Sequence, residues 1–185
     1  MVFQNKIGLI VEGESDRRVL EKVFSKIGVN AESRLIPGGF NVRKINRLVS
    51  MLRDSGCKKV IVLKDTECKH KDEMYEELKD KIRELEGVEV CFVQCSLEAW
   101  LLADEEAIES FIRDRAKKSV KLKKFSNPES ISEPKEEMKD ILRKAGFKVG
   151  YVEAEHAPEI ESRANISKWE EKCESFKELM EKIRN

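Results

Sequence analysis

Over the first 95 positions, short runs of consecutive apolar residues alternate with longer segments whose apolar residues recur every three to four. The runs at 6–11, 31–36, 59–64 and 88–93 have the length and the continuous apolar character of strands buried on both faces. Between the first two, residues 15–27 place Val19, Leu20, Val23, Phe24 and Ile27 on one helical stripe. After Pro37-Gly38-Gly39, Asn41 is placed to cap a helix carrying Val42, Ile45, Leu48, Val49 and Leu52. An acid- and lysine-rich helix is expected near 70–85, apolar only at Met74, Leu78, Ile82 and Leu85.

Strands joined through helices of ten or more residues require right-handed crossovers and a mainly parallel sheet. The fold class expected is therefore α/β, a Rossmann-like sheet of four strands flanked by helices. Past Ser96 the pattern becomes helical. Leu97 to Phe111 forms a helix with Leu97, Trp100, Leu101 and Ile108 inward, bent or restarted at Asp104. Residues 125–134 read as a loop, 135–145 as a helix stopped by Gly146, and the tail from Ile166 as a docked helix. That last helix carries Trp169, Cys173, Phe176, Met180 and Ile183 on one stripe. The division expected is an α/β domain over 1–112, with a basic segment, loop and helical extension over 113–185 packed on it.

A chain of 185 residues, 40% hydrophobic, can bury one respectable core. Charged residues make up 39%, yet the formal net charge is zero, so any surface for a polyanion must be local. No apolar run approaches the length of a membrane span and no signal-peptide pattern is present, so a cytoplasmic protein is expected. The five cysteines are odd in number and include no CxxC pair. Reduced thiols are expected, and Cys68 with His70 lacks the second pair that a zinc site needs.

The chemistry lies where strands end. The first strand delivers Glu12 onto Gly13, with Glu14, Ser15 and Asp16 opening the next helix, and the third ends in Lys64-Asp65-Thr66-Glu67. In open α/β sheets, ligands sit beyond the carboxyl ends of strands where the winding direction reverses. If the first and third strands are neighbours, Glu12 and Asp65 reach one small cation. If the chain stays extended past Asp65, Glu67 joins them and Lys64 points away, a poor counter-ion. Two carboxylates about 4 Å apart repel by roughly 4 kcal/mol at an effective dielectric near 20, which a bound divalent ion relieves. All-oxygen ligation suits Mg²⁺ or Mn²⁺ and phosphodiester chemistry. Glu14 and Asp16 also suit a helix start for their charge alone, and Asp65 could cap a loop.

At these residues the sequence resembles a Toprim domain, the fold of type IA topoisomerases, bacterial primases, small ribosomal-RNA-maturing nucleases and OLD-family nucleases. Val11-Glu12-Gly13-Glu14-Ser15-Asp16 matches that pattern's first element. Asp65-Thr66-Glu67 matches its Asp-x-Asp element with Glu in the last place. More closely, the chain resembles a prokaryotic family of small stand-alone Toprim-like proteins through Glu98 to Asp104, Tyr151, His156, Glu159, Ile160, Cys173, Ser175 and Phe176. The resemblance implies a Toprim-like fold, acid/base work for Glu12 and metal binding by Asp65 and Glu67. Asp16 and Glu98 are further candidate ligands, although by position Glu98 could equally begin a helix.

Gly38-Gly39 could form a phosphate nest or a plain turn, with Arg43, Lys44 and Arg47 just beyond. Residues 113–124 hold seven basic residues (Arg113, Arg115, Lys117, Lys118, Lys121, Lys123 and Lys124) against one acid. Such a run suits contact with a phosphate backbone or a solvated surface. His156 could act as a proton donor or phosphate contact, or serve as a capping residue. Together these lead to the expectation of a Mg²⁺- or Mn²⁺-dependent nuclease acting on DNA or RNA, alone, as a homodimer or with a partner protein. The rivals are a non-catalytic module binding nucleic acid or protein, and a phosphoesterase for a small nucleotide.

Overall fold

Four parallel strands make one sheet in the order β2-β1-β3-β4: β1 (Ile7–Val11), β2 (Ala31–Leu35), β3 (Lys59–Asp65) and β4 (Val88–Val93). The computed structural model describes residues 6–36, 41–68, 74 and 87–185. The expected Rossmann-like α/β class holds. The reversal of winding falls between β1 and β3, the neighbours required by the sequence argument. The expected 70–85 helix and the Gly38-Gly39 turn fall largely outside the described residues.

Helix α1 (Glu14–Lys26) packs Val19, Leu20, Val23 and Phe24 against one sheet face, and α2 (Val42–Asp54) packs Ile45, Val49 and Leu52 against the other. Each fully buried side chain of this size contributes roughly 1.5–3 kcal/mol, so these stripes fix both helices. Asn41 caps α2 as expected, accepting from the Arg43 and Lys44 N–H groups at 3.0 and 3.4 Å. Gly8 lets α2 approach, since a Cβ there would stand 2.9 Å from Leu52 Cδ1.

The C-terminal half covers the α1 face. Helix α3 (Glu98–Leu102) ends at Asp104 and restarts as α4 (Glu105–Ala116), as the sequence suggested. Helices α5 (Pro134–Lys144), α6 (Glu153–Glu161), α7 (Ile166–Lys172) and α8 (Glu174–Arg184) follow. Trp100, Phe111, Trp169 and Phe176 join Leu9, Val11, Ile61 and Leu63 in a single core, so residues 113–185 complete the α/β layer. The expected single terminal helix is two, broken at Cys173, whose backbone is extended (φ −122°, ψ 109°). The apolar stripe survives the break because Trp169, Cys173, Phe176, Met180 and Ile183 are all buried. No helix among the described residues is long and apolar enough to cross a membrane.

Two cysteines depart from the expectation of reduced thiols. Cys68 and Cys95 are disulfide-bonded, while Cys57, Cys91 and Cys173 are buried free thiols. The pairing arises because the β3–β4 contact continues past both strands: Thr66 N–H donates to Val93 O and Glu67 N–H to Cys95 O. Positions 68 and 95 thereby become neighbours, 27 residues apart in sequence.

Candidate carboxylate site

Strand alternation decides which acids meet. On β1, Leu9 and Val11 face α1 and Ile10 faces α2; on β3, Ile61 and Leu63 face α1, and Val60 and Val62 face α2. Continuing that alternation, Glu12 and Lys64 emerge on the α2 side and Asp65 on the α1 side. Lys64 Nζ indeed lies 3.2 Å from both Glu12 carboxylate oxygens. The expectation that Lys64 points away from Glu12 is corrected accordingly, while Glu12 and Asp65, expected as joint ligands, leave their strands on different faces and still line one cavity. Glu12 stands at the rim, held by an ammonium, although it still helps to line the cavity that Asp65 enters.

Asp65 has other company. Asp16 lies across the same cavity, and Glu98, at the start of α3, acts on Asp65 electrostatically. Asp16 is the third residue of α1 and its carboxylate folds back toward the Gly13 N–H, the reach of an acid in a capping box. Glycine makes the approach possible: a Cβ at position 13 would stand 2.6 Å from Asp16 Oδ2. Glu98 is 1% exposed, and its Oε1 accepts a 3.1 Å hydrogen bond from the Tyr151 hydroxyl. Among the described residues its buried Oε2 meets no donor in full hydrogen-bond geometry, although the Ser96 hydroxyl and the Glu98 N–H both act on the carboxylate.

Burial is the main influence on all three acids. It raises the Asp16 carboxyl to about 6, with repulsion from Glu153 and Glu98 adding to the shift and Lys135 opposing it. Burial, then Asp16 and Glu98, push Asp65 well above the usual carboxylate range. Burial raises Glu98 too, against the pull of Lys135. The Tyr151 hydroxyl is driven up by burial and by Glu98.

Three contributors had no signal in the apolar pattern. Lys135, at the start of α5, is 2.9 Å from Glu153 Oε2, and Glu153 also accepts from the Ser15 hydroxyl. Burial alone would raise Glu153, but these two donors bring it below its ordinary value. Lys135 thus spreads one positive charge over Glu153, Glu98 and Asp65. Lys135 and Glu153 lie on helices, and Tyr151 two residues before one, that reach the site only through tertiary packing, and the Tyr151 segment was marked solely by family likeness.

Other expected site residues lie elsewhere. Glu67 is exposed and left-handed (φ 51°), so the chain turns away after Asp65 and Glu67 does not follow it into the cavity. His156 is a buried cap: Nδ1 accepts the Val152 N–H at 2.9 Å, and its ring packs among Phe111, Phe147 and Tyr151. Burial lowers its pKa. Glu14 pairs with Arg17 and Arg18 on the helix surface.

The basic run is partly neutralised. Arg115 pairs with Glu155 and Glu159, Lys121 with Glu109 and Lys123 with Glu137. Arg113 meets Asp114, Lys117 caps α4 in the left-handed conformation, and Lys118 Nζ lies over Gly146. Lys124 is exposed. Arg43 and Lys44 occupy the first turn of α2, at the carboxyl end of the sheet.

The donor set of Asp16, Asp65 and Glu98 is all oxygen, as hard divalent cations require. The space between the walls leaves about 10 Å³ for the centre of a water molecule, room for one water or ion and for no organic group. As the side chains stand, no three His, Cys, Asp or Glu among the described residues lie close enough together to hold a metal ion.

A family profile described as "Domain of unknown function (DUF4276)" matches residues 11–184. The chain belongs to the DUF4276 family. That match spans Glu12, Asp65, Glu98 and Lys135 alike, so the carboxylate site and its C-terminal contributors lie within one DUF4276 unit. No curated protein and no solved structure matches the chain significantly.

Proposed function

We propose that this DUF4276 protein is a Mg²⁺- or Mn²⁺-dependent hydrolase of phosphodiester bonds in DNA or RNA, with Asp16, Asp65 and Glu98 as the cation-holding acids. One observation carries the reading. Three carboxylates with raised pKa values gather at the winding reversal of a parallel sheet, and the described residues give none of them an ion pair within 4 Å. The burial of Glu98 Oε2, with no donor in full hydrogen-bond geometry among the described residues, supports it, since an under-satisfied buried acceptor favours the approach of positive charge. The fit is one of charge and donor type, and holding an ion would require the carboxylates to rotate inward. A cation bound there supplies Lewis-acid polarisation of a phosphate oxygen and an acidified water. Lys135 balances part of the site's charge, and Tyr151 fixes the orientation of Glu98. Glu12, paired with Lys64, is left at the rim to meet the substrate.

The test is degradation of mixed DNA and RNA with Mg²⁺ or Mn²⁺, comparing wild type with Asp65→Asn. Hydrolysis that needs the cation and falls at least a hundredfold in the variant supports the assignment. An equal rate in the two proteins sinks it. A second reading, a non-catalytic module that binds nucleic acid or a partner protein, draws on the Glu12–Lys64 ion pair, which occupies the motif acid. Binding without cleavage by the wild type would select that reading.

A further inference from the structure

We infer that Cys68 and Cys95 form a reversible thiol–disulfide couple that controls the order of the carboxylate-bearing segments. The crosslink joins the two chain ends that carry site acids: Cys68 is three residues past Asp65, and Cys95 three residues before Glu98. Cys68 is exposed whereas Cys95 is 4% exposed, so one sulfur is reachable and the other is sheltered. Cys68 Sγ also touches the Ser132 carbonyl oxygen, just before the helix that carries Lys135. The bridge therefore borders three of the segments that build the site, those carrying Asp65, Glu98 and Lys135.

The backbone around the bridge gives it leverage. Glu67, Cys68 and Cys95 have φ values of 51°, 59° and 59°, a region that non-glycine residues enter at a cost. Among the described residues, the crosslink and three hydrogen bonds help to hold them there: Thr66 N–H to Val93 O, Glu67 N–H to Cys95 O, and Cys95 N–H to Thr66 Oγ1 at 2.8 Å. With the crosslink cut, residues 67–68 can return to ordinary backbone angles and release the first two of these bonds. Order at Asp65 and Glu98 then falls.

Oxidation proceeds by exchange with a low-molecular-weight disulfide of the glutathione type. The Cys68 thiolate attacks one sulfur of that disulfide, expelling one thiolate and forming a mixed disulfide. The Cys95 thiolate then attacks Cys68 Sγ and expels the second. Two protein thiols become one disulfide, one small disulfide becomes two thiols, and the two cysteine protons end on the released thiolates. Cys57, Cys91 and Cys173, all buried, take no part.

The experiment equilibrates the full chain in oxidised and reduced glutathione. Intact mass after alkylation gives the redox state, and hydrogen exchange is followed at residues 65–68 and 95–98. The oxidised protein should lose two alkylatable thiols and protect the Thr66 and Glu67 amides, which should exchange about tenfold faster after reduction. Cys68→Ser should match the reduced protein in either buffer. Retention of both thiols in oxidised glutathione overturns the couple. A disulfide that forms without changing exchange at 65–68 overturns control of the site. Both readouts are independent of hydrolysis, so failure of the hydrolase reading leaves them intact. Where cation-dependent cleavage is found, the oxidised form should be the faster.

Discussion

Asp104 and Glu105 are buried acids, as Glu98 is, but their surroundings differ in kind. Asp104 accepts from Lys168 Nζ at 2.7 Å and from the Asn165 N–H at 2.8 Å. Glu105 meets Lys172 Nζ at 3.0 Å and the Phe125 N–H at 2.6 Å. Burial would raise Glu105, yet these donors take it below its ordinary value. In the Asp16–Asp65–Glu98 group the sum has the opposite sign: burial and mutual repulsion outweigh the one shared lysine. Burial alone therefore does not decide the direction of the shift. What decides it is whether charge compensation is local and complete, as at the α3–α4 junction, or diffuse and deficient, as at the strand ends.

Breaking the complete set should cost most. Lys172→Met strands the Glu105 carboxylate and frees the Ala103 carbonyl, so a loss of about 2–4 kcal/mol is expected in urea unfolding at pH 7. A loss under 1 kcal/mol would erase the contrast.

The deficient set should respond the other way. Burial raises the Asp16 carboxyl from its ordinary 3.8 to about 6, so the folded state holds the proton more tightly. Stability should fall as pH rises from about 4 through 6, by up to ~3 kcal/mol from this group alone. Asp16→Asn should remove that loss and be more stable than wild type at pH 8 by about 1–3 kcal/mol, with little difference at pH 4. A destabilised Asp16→Asn at pH 8 would mean that the carboxylate is compensated after all.

A cation offers the same relief without mutation. Mg²⁺ or Mn²⁺ should raise the melting temperature at pH 8, raise it less at pH 5, where the acids hold protons, and leave Asp65→Asn unaffected. An equal rise in Asp65→Asn would place the ion elsewhere. The smallest effect expected is for Tyr151→Phe, which removes one hydrogen bond to Glu98 at a cost of about 1–2 kcal/mol in the same unfolding assay.

The apolar pattern carried the strand and helix order, the Asn41 cap and the restart at Asp104, because each is written in local periodicity or capping chemistry. It also pointed to the strand ends as the place where acids gather. Alternation along β1 and β3 was present in the sequence too, and it pairs Glu12 with Lys64, a contact that reasoning from strand proximity overlooked, although Glu12 and Asp65 still line one cavity. Nothing local announced the turn at Glu67, since left-handed backbone at a non-glycine residue has no compositional sign. Lys135, Tyr151 and Glu153 reach Asp16 and Glu98 across more than 30 residues of intervening chain, a convergence that arises only when helices stack. The family likeness at His156 favoured a proton donor or phosphate contact over a capping residue, and the structure makes it a cap packed among aromatic rings.

Helices α5 and α6, which supply Lys135 and Glu153, with Tyr151 in the segment between them, are translated last but three and two among the described elements. During synthesis at about 5–20 residues per second, the sheet and its acids emerge from the ribosome several seconds before their counter-charge does. Through that interval Leu9, Ile61 and Leu63 lack Trp169 and Phe176, which later join them in one core. The nascent chain is then both sticky on one side and electrically unbalanced at one end, which makes this the window in which a chaperone or a divalent ion would have the most to offer it.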